Sequence, residues 1–279
     1  MSYDYVIIGG GAGAIMTAYT LNDLDPSKNI LILEKNSKTL TQYRNKGYTN
    51  ITYWLLSQND TDYTYTQQST DGKSVWVGEG LGGGTLHFGL QYIDSPDVIN
   101  KNYSDWNSIF TELDTILNPQ QYNYSINNNP NEAWYNLKQQ LDADSSILTH
   151  NNKIYSDNLA TKSRLLIGSI VENKQNITIK FGVEVNKLVI QNGTVQKIQT
   201  VGGIDYSGNK YIVAAGAIIS PTILLRSGIN AGTSLYDHAG YTLLYKKMSD
   251  VWGGDSGYSD SELTTLGLNK YNIGQGGNY

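Results

Sequence analysis

An α/β fold is what the sequence predicts, and three observations carry that prediction. An apolar run stops at a glycine cluster and gives way to helix formers, a second apolar run ends in an acid, and a late period-two stretch feeds a further strand and helix. The first is Tyr3–Ile8, then Gly9-Gly10-Gly11, then Ala12–Leu24, which spells strand, tight turn and helix. The second, residues 29–33 (Asn-Ile-Leu-Ile-Leu), ends at Glu34; an unbroken apolar run of this kind suits a strand buried on both faces, so these two strands are expected to be parallel.

Residues 38–74 are polar and rich in Tyr, Thr and Gln, and loops with one helical piece are expected there. A second glycine cluster, Gly78-Glu79-Gly80-Leu81-Gly82-Gly83-Gly84, follows inside residues 75–92. Trp106, Ile109, Phe110, Leu113, Ile116 and Leu117 then recur at helical spacing behind Ser104 or Asp105 as a cap. Trp134, Leu137 and Leu141 mark another helix beyond a Pro/Asn-rich connector, and Leu165, Leu166, Ile167, Ile170 and Val171 a third. From Ile177 the period becomes two. Val183, Val185, Leu188 and Ile190 lead into Asn192-Gly193, a hairpin turn, with residues 195–201 as the returning strand. Residues 210–213 form a buried strand that feeds Ala214-Ala215-Gly216-Ala217. Ser220-Pro221 is expected to start the last helix and Gly228 to end it. The expected organisation is a first part of a nucleotide-binding domain over 1–95, a mostly helical insertion or cap over 96–175, the domain's second part over 176–250 and an irregular tail over 251–279.

Composition narrows the function classes. Of the 279 residues 39% are hydrophobic and 16% charged, which suits a chain with a core better than a disordered one. A net charge of -5 gives no basic footprint for nucleic acid. Without cysteine there is no disulfide, thiolate metal site or cysteine nucleophile, and no metal is expected. The apolar N-terminal stretch lacks a basic leader and is broken by glycines, so neither a signal peptide nor a membrane span is expected and the location is expected to be cytoplasmic or virion-associated.

Gly9, Gly11 and Ala14 fit G-x-G-x-x-G/A between a strand and a helix, with Gly13 inside the motif and Glu34, then Lys35, after the next strand. Gly9 permits the turn, Gly11 removes the Cβ that would block a pyrophosphate, and Ala14 allows close helix packing. The helix N-terminus then offers its N–H groups to the phosphates. Glu34 is expected to accept hydrogen bonds from an adenosine ribose, which speaks against a 2′-phosphate. The bland alternative is a glycine-rich turn of no consequence. By itself the motif leaves FAD and NAD both open.

Three further segments resemble the glucose-methanol-choline (GMC) family of flavin oxidoreductases, in that family's order. Residues 76–85 resemble its glycine-rich segment beside the flavin, followed by Trp106 where members carry a tryptophan. Residues 215–229 resemble its second signature, with Asn230 in place of the closing glycine. Ser234-Leu235-Tyr236-Asp237-His238 is similar to its Asn-Leu-x-Asp-His. Gly182-Val183-Glu184-Val185 resembles the strand whose valine backbone meets the adenine. The resemblance implies a Rossmann-like FAD-binding domain of the FAD/NAD(P)-binding type with an incomplete second, substrate or cap region. It implies FAD as cofactor, held by Gly9, Gly11, Gly13, Ala14, Glu34, Lys35, Gly78, Gly82, Gly83, Thr85, His87, Val185, Ala215, Gly216, Asp237 and His238.

His87 falls where relatives similar to choline oxidase and pyranose oxidase attach a histidine to the flavin 8α-methyl; Phe88 stands beside it where many members have Asn. Two readings stay open, a covalent link through His87 or a histidine that packs nearby. The family's chemistry rests on a C-terminal histidine that takes the alcohol proton while hydride leaves for the flavin. No histidine follows His238, and no catalytic residue is assigned. The expectation is therefore an FAD-dependent oxidoreductase acting on alcohol or sugar CH–OH groups in an incomplete or split form, completed by a second polypeptide or by self-association. The alternative is a non-catalytic flavin-binding or structural descendant, such as a viral particle component.

Overall fold

The computed structural model describes residues 3–49, 54–57, 59–70, 72, 74–87, 91–92, 106–121, 153–154, 156–158 and 163–235. Two compact units divide the chain. One takes Met1–Leu90, Glu112–Gln120 and Tyr155–Leu235; the other takes Gln91–Thr111, Gln121–Ile154 and Tyr236–Tyr279.

The first unit is built on a four-stranded parallel sheet. Strand β1 (Tyr3–Ile8) lies between β2 (Ile30–Leu33) and β8 (Gly208–Val213), and β5 (Ile177–Lys180) pairs with the outer side of β2. Register aligns Ile8 with Leu33 and with Val213, and Ile177 with Ile30, so the strands end together at one edge. All four residues of β2 are buried, as an inner parallel strand requires. Successive side chains alternate between faces. On one face Val6, Ile8, Leu31 and Leu33 pack with Val185, Leu188, Ile198 and Ile223. Helix α1 (Ala12–Leu24) buries Ala14, Ile15 and Ala18 completely.

The antiparallel pair β6 (Val185–Gln191) and β7 (Thr194–Thr200) turns at Asn192 and Gly193, whose φ of 50° and 74° are the left-handed values of a type I′ hairpin. The Asn-Gly expectation is met. Ile177 differs from its expected place: β5 extends the parallel sheet instead of opening the hairpin, because its apolar alternation serves either pairing.

Three further segments depart from expectation. The polar stretch before Gly78 holds helix α2 (Leu40–Asn45), closed by a Thr39/Gln42 capping box, a short helix α3 (Trp54–Ser57), and a hairpin of β3 (Thr64–Gln68) with β4 (Ser74–Gly78). The apolar run at 165–171 is mostly not helical: helix α5 covers only Ser169–Glu172 and buries Val171, whereas Leu166 and Ile167 are buried ahead of it, outside any helix. The last helix, α6 (Gly216–Arg226), starts before Ser220-Pro221. Ser220 is not its cap residue, although its Oγ accepts the Ala215 N–H at 2.9 Å, and Pro221 lies inside the helix. Its end at Gly228 is as expected, with φ of 80° and the Ile229 N–H returning to the Leu224 carbonyl at 2.9 Å. The helix expected around Trp106 is present as α4 (Trp106–Leu117). The helix at Trp134, Leu137 and Leu141, the tail over 251–279, and Phe88 lie outside the described residues.

Candidate cofactor site

At the carboxyl edge of the parallel sheet three backbone turns meet. Gly9, with φ of 99°, leaves β1 so close to the β8–α6 turn that a Cβ would sit 2.6 Å from the Ala214 carbonyl oxygen and 2.7 Å from Ala215 Cα. Only glycine satisfies both the left-handed backbone and that approach. The same loop touches the second glycine cluster. The Gly82 N–H donates to the Gly10 carbonyl at 2.7 Å, Gly11 and Gly82 form a parallel bridge, and a Cβ on Gly83 would come within 3.1 Å of Gly11 Cα. Gly11, Gly13, Gly84 and Gly216 have open space where a side chain would stand.

Between the turns lies a cleft of about 960 Å³. Of the residues singled out in the sequence, Gly9, Gly11, Gly13, Glu34, Lys35, Gly78, Gly83, Val185, Ala215 and Gly216 line it. Ala14 and Thr85 do not line it. Ala14 is buried in α1, and the Thr85 hydroxyl donates to the Gly82 carbonyl at 2.7 Å, fixing the short 3₁₀ turn Gly83–Leu86. Gly82 is likewise behind the wall; its φ of 128° makes the turn. Asp237 and His238 lie outside the described residues.

Glu34 shows how the cleft is braced. Its carboxylate accepts the N–H groups of Gly10 at 2.7 Å, Asn36 at 2.8 Å and Gly80 at 3.2 Å, so one side chain joins β2, the first glycine turn and the second. Burial pushes its pKa up, against the lowering effect of those three donors. Next to it Lys35 pairs with Glu79 at 2.9 Å and lies over the Tyr65 ring at 4.4 Å, all three at the cleft.

His87 is 1% exposed and is not among the cleft-lining residues. Its Nδ1 is 2.9 Å from the Ser57 hydroxyl, and a Cβ on Gly78 would collide with its Cδ2 at 2.7 Å. The imidazole therefore packs behind Gly78, on the far side of the cleft wall. Burial first, and the Arg164 charge second, push its pKa down to about 4. Arg164, 1% exposed, donates from Nη1 to the Leu86 carbonyl at 2.6 Å and from Nη2 to the Thr85 carbonyl at 3.4 Å; the Tyr43 hydroxyl donates to the same Leu86 oxygen. Together they hold the carbonyl end of the 3₁₀ turn.

Sequence reasoning did not single out Tyr65 or Gln67, which also line the cleft; Trp76, Gly84 and Arg226, which line it too, were read only as members of the glycine-rich and second-signature segments. An Asp71-Gly72 turn signal between alternating runs marks the β3–β4 hairpin that carries Tyr65, Gln67 and Trp76. Arg164 has no local signal; its role depends on contacts made 78 residues away.

The site fits a dinucleotide. Bare backbone at three turns, the N-terminus of α1 and a carboxylate at the end of β2 are what an adenosine diphosphate moiety requires. No family model matches the chain. In sequence it is 27% identical over 261 residues to (R)-mandelonitrile lyase 3 of Prunus serotina, covering 82% of this chain and 43% of the lyase, and 25% identical to (R)-mandelonitrile lyase 1 of Prunus dulcis over a similar span. In structure it superposes on pyridoxine 4-oxidase from Mesorbium loti with a TM-score of 0.59 at 19% identity, covering 82% of this chain and 52% of that one. A formate oxidase follows at 0.55 and 17%, covering 82% and 50%.

The chain has the fold of the GMC oxidoreductases. A fungal aryl-alcohol oxidase shares this GMC fold at a TM-score of 0.52 and 17% identity, covering 82% of this chain and 48% of its own. The chain spans about half the length of the GMC relatives it matches. Among the described residues no group of acids and histidines could hold a metal ion, and no helix is long and apolar enough to cross a membrane.

Proposed function

We propose that the chain binds FAD without a covalent bond and forms the flavin-holding part of an oxidoreductase that acts on alcohol or sugar CH–OH groups. The convergence of the Gly9–Gly11, Gly83–Gly84 and Ala214–Gly216 backbones on one cleft carries this reading. Bound FAD supplies the acceptor for a hydride from the substrate carbon. The chain's own part is positioning. Gly11 and Gly13 bring the α1 N-terminus to the pyrophosphate, Glu34 holds the two glycine turns together beside the ribose, and Val185, Ala215 and Gly216 present backbone to the remaining length. His87 takes no proton from substrate in this arrangement, since Gly78 stands between its ring and the cleft. The proton acceptor is proposed to come from a second polypeptide.

An absorbance spectrum before and after acid precipitation tests the proposal. Flavin colour in the native protein that moves wholly to the supernatant is expected. A colourless preparation that stays colourless after incubation with FAD overturns the assignment. Colour in the pellet that His87→Ala abolishes restores the covalent reading.

A further inference from the structure

The cleft wall that carries Trp76 continues into a column of aromatic rings leading away from the cofactor site. Trp76 lines the cleft, and its indole meets the His87 imidazole edge-on at 5.2 Å between centroids. His87 meets Tyr43 at 6.2 Å, and Tyr43 meets Tyr48 at 5.3 Å and Tyr63 at 5.1 Å, each pair edge to face. These are contact distances for aromatic rings. His87, Tyr43 and Tyr63 are shut off from water, whereas Tyr48 at the outer end is half-buried.

Packing explains why the rings touch. It does not explain how differently their hydroxyls are placed. The Tyr43 hydroxyl donates to a backbone carbonyl, that of Leu86, and the buried Tyr63 hydroxyl has no hydrogen-bond partner among the described residues. The Tyr48 hydroxyl donates to the Asp60 carboxylate at 2.8 Å. A phenol that loses an electron becomes a strong acid, and an amide carbonyl cannot take its proton, but a carboxylate can. Among the described residues, Tyr48 alone of the three phenols has such a base within hydrogen-bond reach. Asp60 is ready for that role: burial raises its pKa, but hydrogen bonds from Lys46, the Asp62 N–H and Tyr48 more than offset this and hold it below the usual carboxylate value. Lys46 also lies over the rings of Tyr63, at 5.4 Å, and Tyr48, at 6.0 Å, where a cation opposes a positive ring and favours a neutral radical. His87, held neutral at ordinary pH, adds no charge to the column.

We propose that Trp76, His87, Tyr43 and Tyr48 form a path that carries an electron vacancy out of the cofactor cleft and delivers it to the surface as a neutral tyrosyl radical on Tyr48. This rests on the FAD reading, because the cleft must hold the one-electron oxidant, an isoalloxazine excited by blue light. One electron passes from Trp76 to that oxidant. Tyr48 refills Trp76 across the intervening His87 and Tyr43 rings, neither of which is itself oxidised, and the Tyr48 phenolic proton moves to Asp60. A soluble thiol then gives one electron to Tyr48 and its own proton to solvent, leaving a thiyl radical, and Asp60 returns the phenolic proton. The net transfer is one electron from thiol to flavin, with the column restored.

The test is a blue laser flash on the FAD-loaded full chain, read by transient absorption, electron paramagnetic resonance and FAD fluorescence lifetime. Wild type is expected to show a tyrosyl radical and a shortened FAD lifetime. Tyr48→Phe, which keeps the ring and removes only the hydroxyl, loses the tyrosyl signal while the short lifetime remains. Asp60→Asn does the same, and Trp76→Phe lengthens the lifetime. FAD-loaded wild type without a tyrosyl radical, or a radical unchanged in Tyr48→Phe, overturns the path and leaves the cofactor assignment standing. A chain that holds no FAD overturns both.

Discussion

The two walls of the cleft are built on opposite principles. On the β1 side, Gly9–Gly11 is backed by an apolar sheet, with Val6, Ile7, Ile8 and the whole of β2 buried. On the β4 side, Gly78–Leu86 is backed by polar and aromatic groups, His87, Arg164, Tyr43 and Tyr63, with Arg164 and Tyr43 both bonded to the Leu86 carbonyl. The first wall is held by hydrophobic burial and tolerates little added volume. The second is held by directed bonds to buried groups, so its stability responds to protonation. One wall is thus sensitive to shape and the other to charge.

The largest effect is expected at the first wall. Gly9→Val combines a left-handed φ with a Cβ 2.6 Å from the Ala214 oxygen, and strain plus overpacking amount to at least ~3 kcal/mol. Thermal unfolding should show a large fall in Tm and loss of bound flavin; a variant as stable as wild type breaks the account of that wall.

At the second wall a pH effect of intermediate size is expected. The His87 pKa is lowered from 6.5 to about 4 in the folded chain, so the unfolded state binds the proton more readily. Stability is complete above pH 6.5 and falls as pH drops towards 4, by a loss on the order of 3 kcal/mol. His87→Phe should flatten that acid limb in denaturant titrations at several pH values. An unchanged limb would place the acid sensitivity elsewhere.

The smallest effect is at the rim. Glu79→Gln removes the partner of Lys35, which is 43% exposed, so the change in unfolding free energy is expected to stay below about 1 kcal/mol and to shrink further in salt. A change several times larger would make the rim part of the brace.

The same contrast decides what could be read from the sequence. β1, β2 and the Asn192-Gly193 hairpin were legible because burial on a sheet and left-handed turns write their requirements into neighbouring residues. So were the three glycine turns. Arg164 was not, since its partners are 78 and 79 residues away and nothing beside it marks a buried guanidinium. β3 was missed because Tyr65 is its one apolar residue: Thr66, Gln67 and Gln68 are exposed, and Thr64, though buried, is polar, so no apolar face announces a strand. The early start of α6 was hidden by Ser220-Pro221, a pair that reads as a cap yet here reaches back to Ala215 from inside the helix.

The bridge between Gly11 and Gly82 joins two loops through main-chain atoms common to all amino acids. A junction of that kind is indifferent to most side-chain drift and vetoes only the few replacements that add a Cβ where none fits. Composition can therefore vary widely around such a join, Tyr-rich and Phe-poor as it is in this chain, without changing its shape.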